Sequence, residues 1–99
     1  MSGFRHLVMF IWTSEATPKQ KAAVAERLST LPEAIPEIKR YELGNDAGIN
    51  DGNYEFVVVA DFADRESYLV YRDHPYHQQI IAETVKPIIA QRAAVQYDL

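Results

Sequence analysis

Cysteine is absent from this chain, so no disulfide is available and the fold must rest on packing alone. That is the ordinary condition of a protein in a reducing cytoplasm, the location expected here. Positive charge is scarce: ten Lys and Arg stand against fourteen Asp and Glu, a formal charge of −4. Such a balance offers no basic field to hold phosphates, so neither nucleic acid nor an anionic membrane surface is expected as a partner. Long hydrophobic runs are missing too. No apolar stretch approaches the roughly 20 residues of a spanning helix, and no charged segment leads into a shorter apolar one as in a secretory signal. What remains is core-forming material, 47% hydrophobic residues in 99, which is one globular domain over residues 1–99 and too little for two.

The first apolar segment, Phe4 to Trp12, alternates Phe4, His6, Val8, Phe10 and Trp12 with Arg5, Leu7, Met9 and Ile11. Both parities are largely apolar, and a strand with two apolar faces needs two covering layers. Thr17-Pro18-Lys19-Gln20 reads as a helix start, with Thr17 as N-cap, Pro18 first in the helix and Gln20 closing a capping box. The helix is expected to run to about Leu31, with Val24, Leu28 and Leu31 as its buried stripe and Pro32 and Pro36 bracketing a short connection. Ile38 to Leu43 is a second strand, expected to be the least buried. Gly44 to Asn53 is dense in Gly, Asn and Asp, and reads as a hairpin loop. Asp46, Asn50 and Asp51 do not match an EF-hand spacing, so turn chemistry is the better reading. Tyr54 to Phe62 is a third strand, again apolar on both faces at its centre. Asp64 caps a helix through about Asp73; a further helix starts at Pro75, carries His77, Ile80, Ile81, Thr84 and Val85 along one side, and stops at Pro87. Gln91 to Leu99 is the last strand, with Ala93, Val95, Tyr97 and Leu99 on one parity.

The order β-α-β-β-α-β is the ferredoxin-like arrangement, an α+β fold with a four-stranded antiparallel sheet and one helical layer. Helices cover one face only. Leu7, Met9, Ile11, Val57 and Val59 on the other face imply a homodimer in which two sheets pack face to face.

Chemistry-bearing residues concentrate in Tyr71-Arg72-Asp73-His74-Pro75-Tyr76-His77, which holds two of the three histidines. If the face of β-strand residues bearing His6 is the helix-covered one, His6, Tyr71 and His77 line a space between sheet and helices, with Phe10, Trp12, Leu28, Phe56, His74 and Ile81 as candidate ligand contacts. Imidazole and phenol there can exchange protons with a bound substrate. The bland reading stands beside it: a histidine on an apolar face is commonly a satisfied core residue, and His74 before Pro75 suits a bracket for the helix break. His74-x-x-His77 has ligand-like spacing, but nothing completes a metal set, and no cofactor is expected.

Tyr71-x-x-His74-Pro75-x-His77, His6 on the first strand and the Ile35-Pro36-x-Ile38 lead into the second together resemble the stress-responsive A/B barrel family of dimeric α+β barrels, nearly end to end. The resemblance implies a dimer whose two sheets form a barrel. One branch of that family is a polyketide cyclase working without cofactor, and by that likeness Tyr71 and His77 would be its acid and base and His6 a pocket histidine. Two positions depart from it: Phe56 replaces a further histidine and Leu28 a tyrosine. Three readings follow: a stress-related dimer that binds a small apolar or aromatic molecule; a cofactor-independent acid-base enzyme, a lyase or isomerase; and, by analogy with the wider dimeric barrel group, a monooxygenase.

Overall fold

Every second residue of β1 (Phe4–Trp12) is buried, from Phe4 through His6, Val8 and Phe10 to Trp12, and those between are half-buried. In the computed structural model, which describes residues 3–99, β1 is a central strand, flanked by β3 (Phe56–Phe62) and β4 (Ile89–Asp98), with β2 (Ile38–Asn45) beyond β3. All three pairings are antiparallel, and the order β2-β3-β1-β4 is that of the ferredoxin-like fold. The register sets Val8 against Val58 and His6 against Ala60 on one side, and His6 against Gln96 on the other.

Helices cover the face that carries Phe4, His6, Val8, Phe10 and Trp12. α1 (Pro18–Leu28) begins in the expected capping box, with the Gln20 amide N–H donating to Thr17 Oγ1 at 3.1 Å and the Thr17 N–H to Gln20 Oε1 at 2.9 Å. It ends three residues before the expected Leu31. Leu31 instead opens the short α2 (Leu31–Ala34), where Pro32 occupies an early position that needs no N–H. The short connection is thus a helical turn, and Leu31 and Ile35 are both fully buried by it. α3 (Arg65–Asp73) is capped by Asp64 Oδ1, which accepts from the Ser67 N–H at 2.8 Å. α4 (Pro75–Ile80) follows, and a π-helical turn at Ile81–Val85 widens its end, closed by the Lys86 N–H on the Ile81 carbonyl at 2.9 Å.

The strands differ from expectation at their ends. β2 continues to Asn45, β3 starts at Phe56 and not Tyr54, and β4 starts at Ile89. The least buried strand is β4, not β2: on β4 only Ile89 and Ala93 are even half-buried. α2 and α3 pack toward β2, while the helical side of β4 is left open. At the far end of β1 the register slips between Ile11 and Trp12, and the freed Trp12 N–H is taken by Glu55 Oε2 at 2.8 Å. In the β2–β3 loop Asp46 does turn chemistry, accepting from the Gly48 N–H at 2.9 Å and from Asn53 Nδ2 at 3.1 Å, and Gly48 takes the positive φ of 78° that such a turn requires.

The uncovered face carries Leu7, Met9, Ile11, Val57 and Val59, all half-buried, with Val95 and Tyr97 exposed beside them. It carries a bidentate ion pair, Arg5 Nε and Nη2 to the Asp61 carboxylate at 2.7 and 2.8 Å, and beside it on β2 the pair of Arg40 with Glu42. No helix among the described residues is long and apolar enough to cross a membrane.

Candidate functional site

The break between α3 and α4 builds the site. Because Pro75 disfavours helical geometry before it, His74 is extended, at φ −63° and ψ 129°. The Tyr76 N–H, which a continuous helix would send to Arg72, goes to His74 Nδ1 at 3.1 Å. The Arg72 carbonyl is thereby released, and two side chains one turn further on claim it: His77 Nδ1 at 3.2 Å and Gln78 Nε2 at 2.5 Å. A carbonyl only accepts, so Nδ1 of His77 carries the proton, and a neutral ring then bears an unprotonated Nε2. Burial lowers the basicity of His77, which favours the neutral ring. His74 therefore acts as the cap of α4, and its position fixes where His77 stands.

Tyr71, on the last turn of α3, is 2% exposed, and its ring lies against that of His77 with centroids 4.2 Å apart. Its hydroxyl is bonded to the hydroxyl of Tyr41 on β2, at 3.1 Å. Burial pushes the Tyr71 phenol up to about 12 and holds that of Tyr41 far above its usual range. Opposite them, His6 sits under Tyr68, centroids 5.0 Å apart, and its Nδ1 receives the Gln96 amide at 2.7 Å. Burial first, then the charges of Arg92 and His77, lowers the His6 imidazole to about 4, so this ring is uncharged near neutral pH.

These groups surround a cavity of about 360 Å³ between the helical side of β1 and β4 and the inner faces of α3, α4 and the π turn. His6, Tyr71 and His77 all line it, as do Phe10, Leu28 and Ile81. Three other candidates stand elsewhere. Trp12 packs on Phe10 and Phe56 at the distal end of the sheet, Phe56 borders a separate groove beside the β2–β3 loop, and His74 is occupied in the cap. The rest of the wall is Val8, Val58, Tyr68, Val85 and Ile89 with Arg72, Gln78, Lys86 and Arg92. Sequence reading overlooked these last two cations. The β1–β4 register places Arg92 opposite Phe10, hence on the side of His6, and only that register reveals it. Lys86 is brought round by the π turn, for which no sequence signal was read. Among the described residues no group of three or more His, Asp or Glu side chains converges as a metal site. The arrangement is a mostly apolar chamber with a neutral imidazole at each of two walls and a protonated phenol between them.

A family model described as the stress responsive A/B barrel domain matches residues 4–99. No curated protein matches. Among solved structures, a dimeric ferredoxin-like protein of unknown function from Thermobifida fusca is 44% identical with a TM-score of 0.91, over 99% of this chain and 92% of that one. A Dabb family protein from Mesorhizobium loti is 21% identical with a TM-score of 0.81, over 98% and 96%. A hydroxynitrile lyase from Passiflora edulis is 19% identical with a TM-score of 0.86, over 98% and 93%. The latter two speak for the fold alone.

Proposed function

This chain belongs to the stress responsive A/B barrel domain family, and we propose that it works as a homodimer in which each subunit holds a small, largely apolar molecule between sheet and helices. The cavity of about 360 Å³ carries this reading. Its size falls within the roughly 300–1,000 Å³ of ligand pockets, and its chemistry fits their pattern of apolar wall and few convergent polar groups. The uncovered apolar face of β1 and β3 supports the dimer, as does the dimeric description of the Thermobifida fusca relative. That face lies on the side of the sheet away from the cavity, so pairing leaves the chamber open.

One observation favours a second reading, acid-base catalysis on a carbonyl-containing substrate without a cofactor. His77 Nε2 is the unprotonated nitrogen of a neutral ring beside the buried Tyr71 phenol. In that role His77 takes the proton and Tyr71 supplies or steadies one, after its hydroxyl leaves Tyr41. Localisation in the cytoplasm is part of the proposal, resting on the missing cysteines.

The test is titration of isotope-labelled protein with indole and 1-naphthol, following amide and methyl resonances. Shifts gathered at Val8, Leu28, Ile81 and Val85 are expected, and they should vanish when Ile81→Trp fills the chamber. Shifts scattered over the surface, or unchanged in the filled variant, would refute the ligand site.

A further inference from the structure

The chain has more acidic than basic residues, fourteen against ten, yet the cavity wall holds Arg72, Lys86 and Arg92 and no Asp or Glu. Arg72 is satisfied by its neighbour, donating to both oxygens of Asp73 at 2.8 and 3.1 Å. Lys86 and Arg92 are different. Most of the protein's cations have an acidic partner, namely Arg5, Lys21, Arg27, Arg40, Arg65 and Arg72. Among the described residues Lys19, Lys39, Lys86 and Arg92 have none, and of these four Lys86 and Arg92 line the cavity.

We propose that the molecule held in the cavity carries a carboxylate at one end of an apolar body, seated on the free guanidinium of Arg92 with Lys86 beside it; this rests on the cavity being a ligand site, as argued above.

Both cations are held by backbone features. Arg92 pairs with Phe10 in the β1–β4 register, on the side of the sheet that bears His6 and Val8, where no helix covers β4. Lys86 closes the π turn, its N–H on the Ile81 carbonyl at 2.9 Å, which sets it over Ile81 at the end of the chamber. Such π-helical insertions are frequent at functional sites. The two residues are exposed while Val8, Leu28 and Val58 at the other walls are buried. The chamber is thus polarised, cationic at its opening and apolar inside. The charge of Arg92 is felt within, for it helps to lower the His6 imidazole and opposes the rise of the Tyr68 phenol.

A carboxylate suits this better than a phosphate. The guanidinium is a planar fork that matches the two oxygens of a carboxylate, and the cavity wall contains no glycine-rich loop whose N–H groups would cradle a phosphoryl group. An uncharged apolar ligand would draw nothing from either charge.

The probes are 3-phenylpropionate and 4-phenylbutyrate, with the primary amides of the same acids as uncharged partners, titrated at low salt and followed by the resonances of His6, Ile81 and Val85. The acids are expected to bind about ten-fold more tightly than their amides, and the difference should shrink as salt is added. Arg92→Gln should remove most of the acids' advantage by weakening the acids far more than the amides, at a wild-type melting temperature since the side chain is exposed. Arg92→Lys should restore only part of it, because charge returns without the fork. Equal affinity of acid and amide for the wild type would overturn the carboxylate and leave the ligand cavity standing. No response to any of the four would overturn both. Undiminished acid binding in the Arg92→Gln, Lys86→Gln double variant would show that these cations do not seat the ligand.

Discussion

The hydroxyls of Tyr71 and of Tyr41 on β2 share a hydrogen bond of 3.1 Å, while the Tyr71 ring lies against a different residue, His77. Both phenols are raised by burial, so both are protonated throughout the physiological range, and one donates to the other. Removing either hydroxyl leaves its partner, buried Tyr71 or half-buried Tyr41, without that bond. Tyr41→Phe and Tyr71→Phe are each expected to lower stability by about 1–3 kcal/mol, and the double variant by less than the sum. Urea denaturation of the four proteins measures the coupling. Strictly additive losses would show that the bond contributes nothing.

His6 makes stability fall on mild acidification. Its folded-state value of about 4 lies below the ordinary 6.5, with burial as the main cause and the charges of Arg92 and His77 adding to it. Between those two values the unfolded chain binds more protons than the folded one, so stability rises with pH across that window. It is complete above about 6.5 and is lost progressively as pH falls toward 4. His77 is lowered too and acts in the same direction. Denaturant midpoints at pH 7.5 and 5 should differ in the wild type, and the difference should shrink in His6→Gln. Arg92→Gln should raise the His6 titration midpoint, read from its imidazole resonances.

Local signals and the element order carry over into the structure, whereas cross-strand partners and the covering of the edge strands do not show in the sequence. The Thr17–Gln20 capping box and the alternation of β1 depend on residues within one turn or one pleat, and both stand as read. Leu31 keeps its burial but belongs to α2 and not to α1, because the stripe reports a face whether or not the backbone pauses between the two helices. The exposure of β4 depends on which strands the helices cross, which its own sequence does not encode. In the site, His6 and His77 were found together because each lies on an apolar side facing the same gap. Tyr41 escaped notice as the partner of Tyr71, since a phenol on a mixed edge strand carries no mark of its destination. Arg92 is hidden for a similar reason: the apolar Ala93, Val95, Tyr97 parity marks the other face of the same strand.

Val57 tests that other face. It pairs with Met9 and Gly44 on the half-buried apolar surface that no helix covers. Val57→Asp would place an unpaired charge in the proposed sheet-to-sheet contact, at a cost of several kcal/mol to association. The wild type should sediment as a dimer at micromolar concentration and the variant as a monomer, with circular dichroism confirming that it is folded. A monomeric wild type would end the claim.

His77 separates a chemical role from a structural one. The Arg72 carbonyl that it bonds is also held by Gln78 Nε2, so removing the imidazole leaves that acceptor satisfied. His77→Gln should therefore melt within about 4 °C of the wild type, whereas Tyr71→Phe, stripping a bond with no substitute, should fall by about 4–8 °C or more for a domain of this size. If His77 is a catalytic base, the first variant should nevertheless lose about 10²- to 10⁴-fold in turnover on any substrate found, the usual share of proton transfer. The wild-type rate should in turn decline below the His77 midpoint, which lies under the ordinary imidazole value because of burial, as protonation occupies Nε2. Thermal melts of both variants, set beside the pH profile of turnover, decide the matter. Equal and large losses of melting temperature, with no pH dependence in that range, would make His77 a bracket for the helix break and remove it from the chemistry.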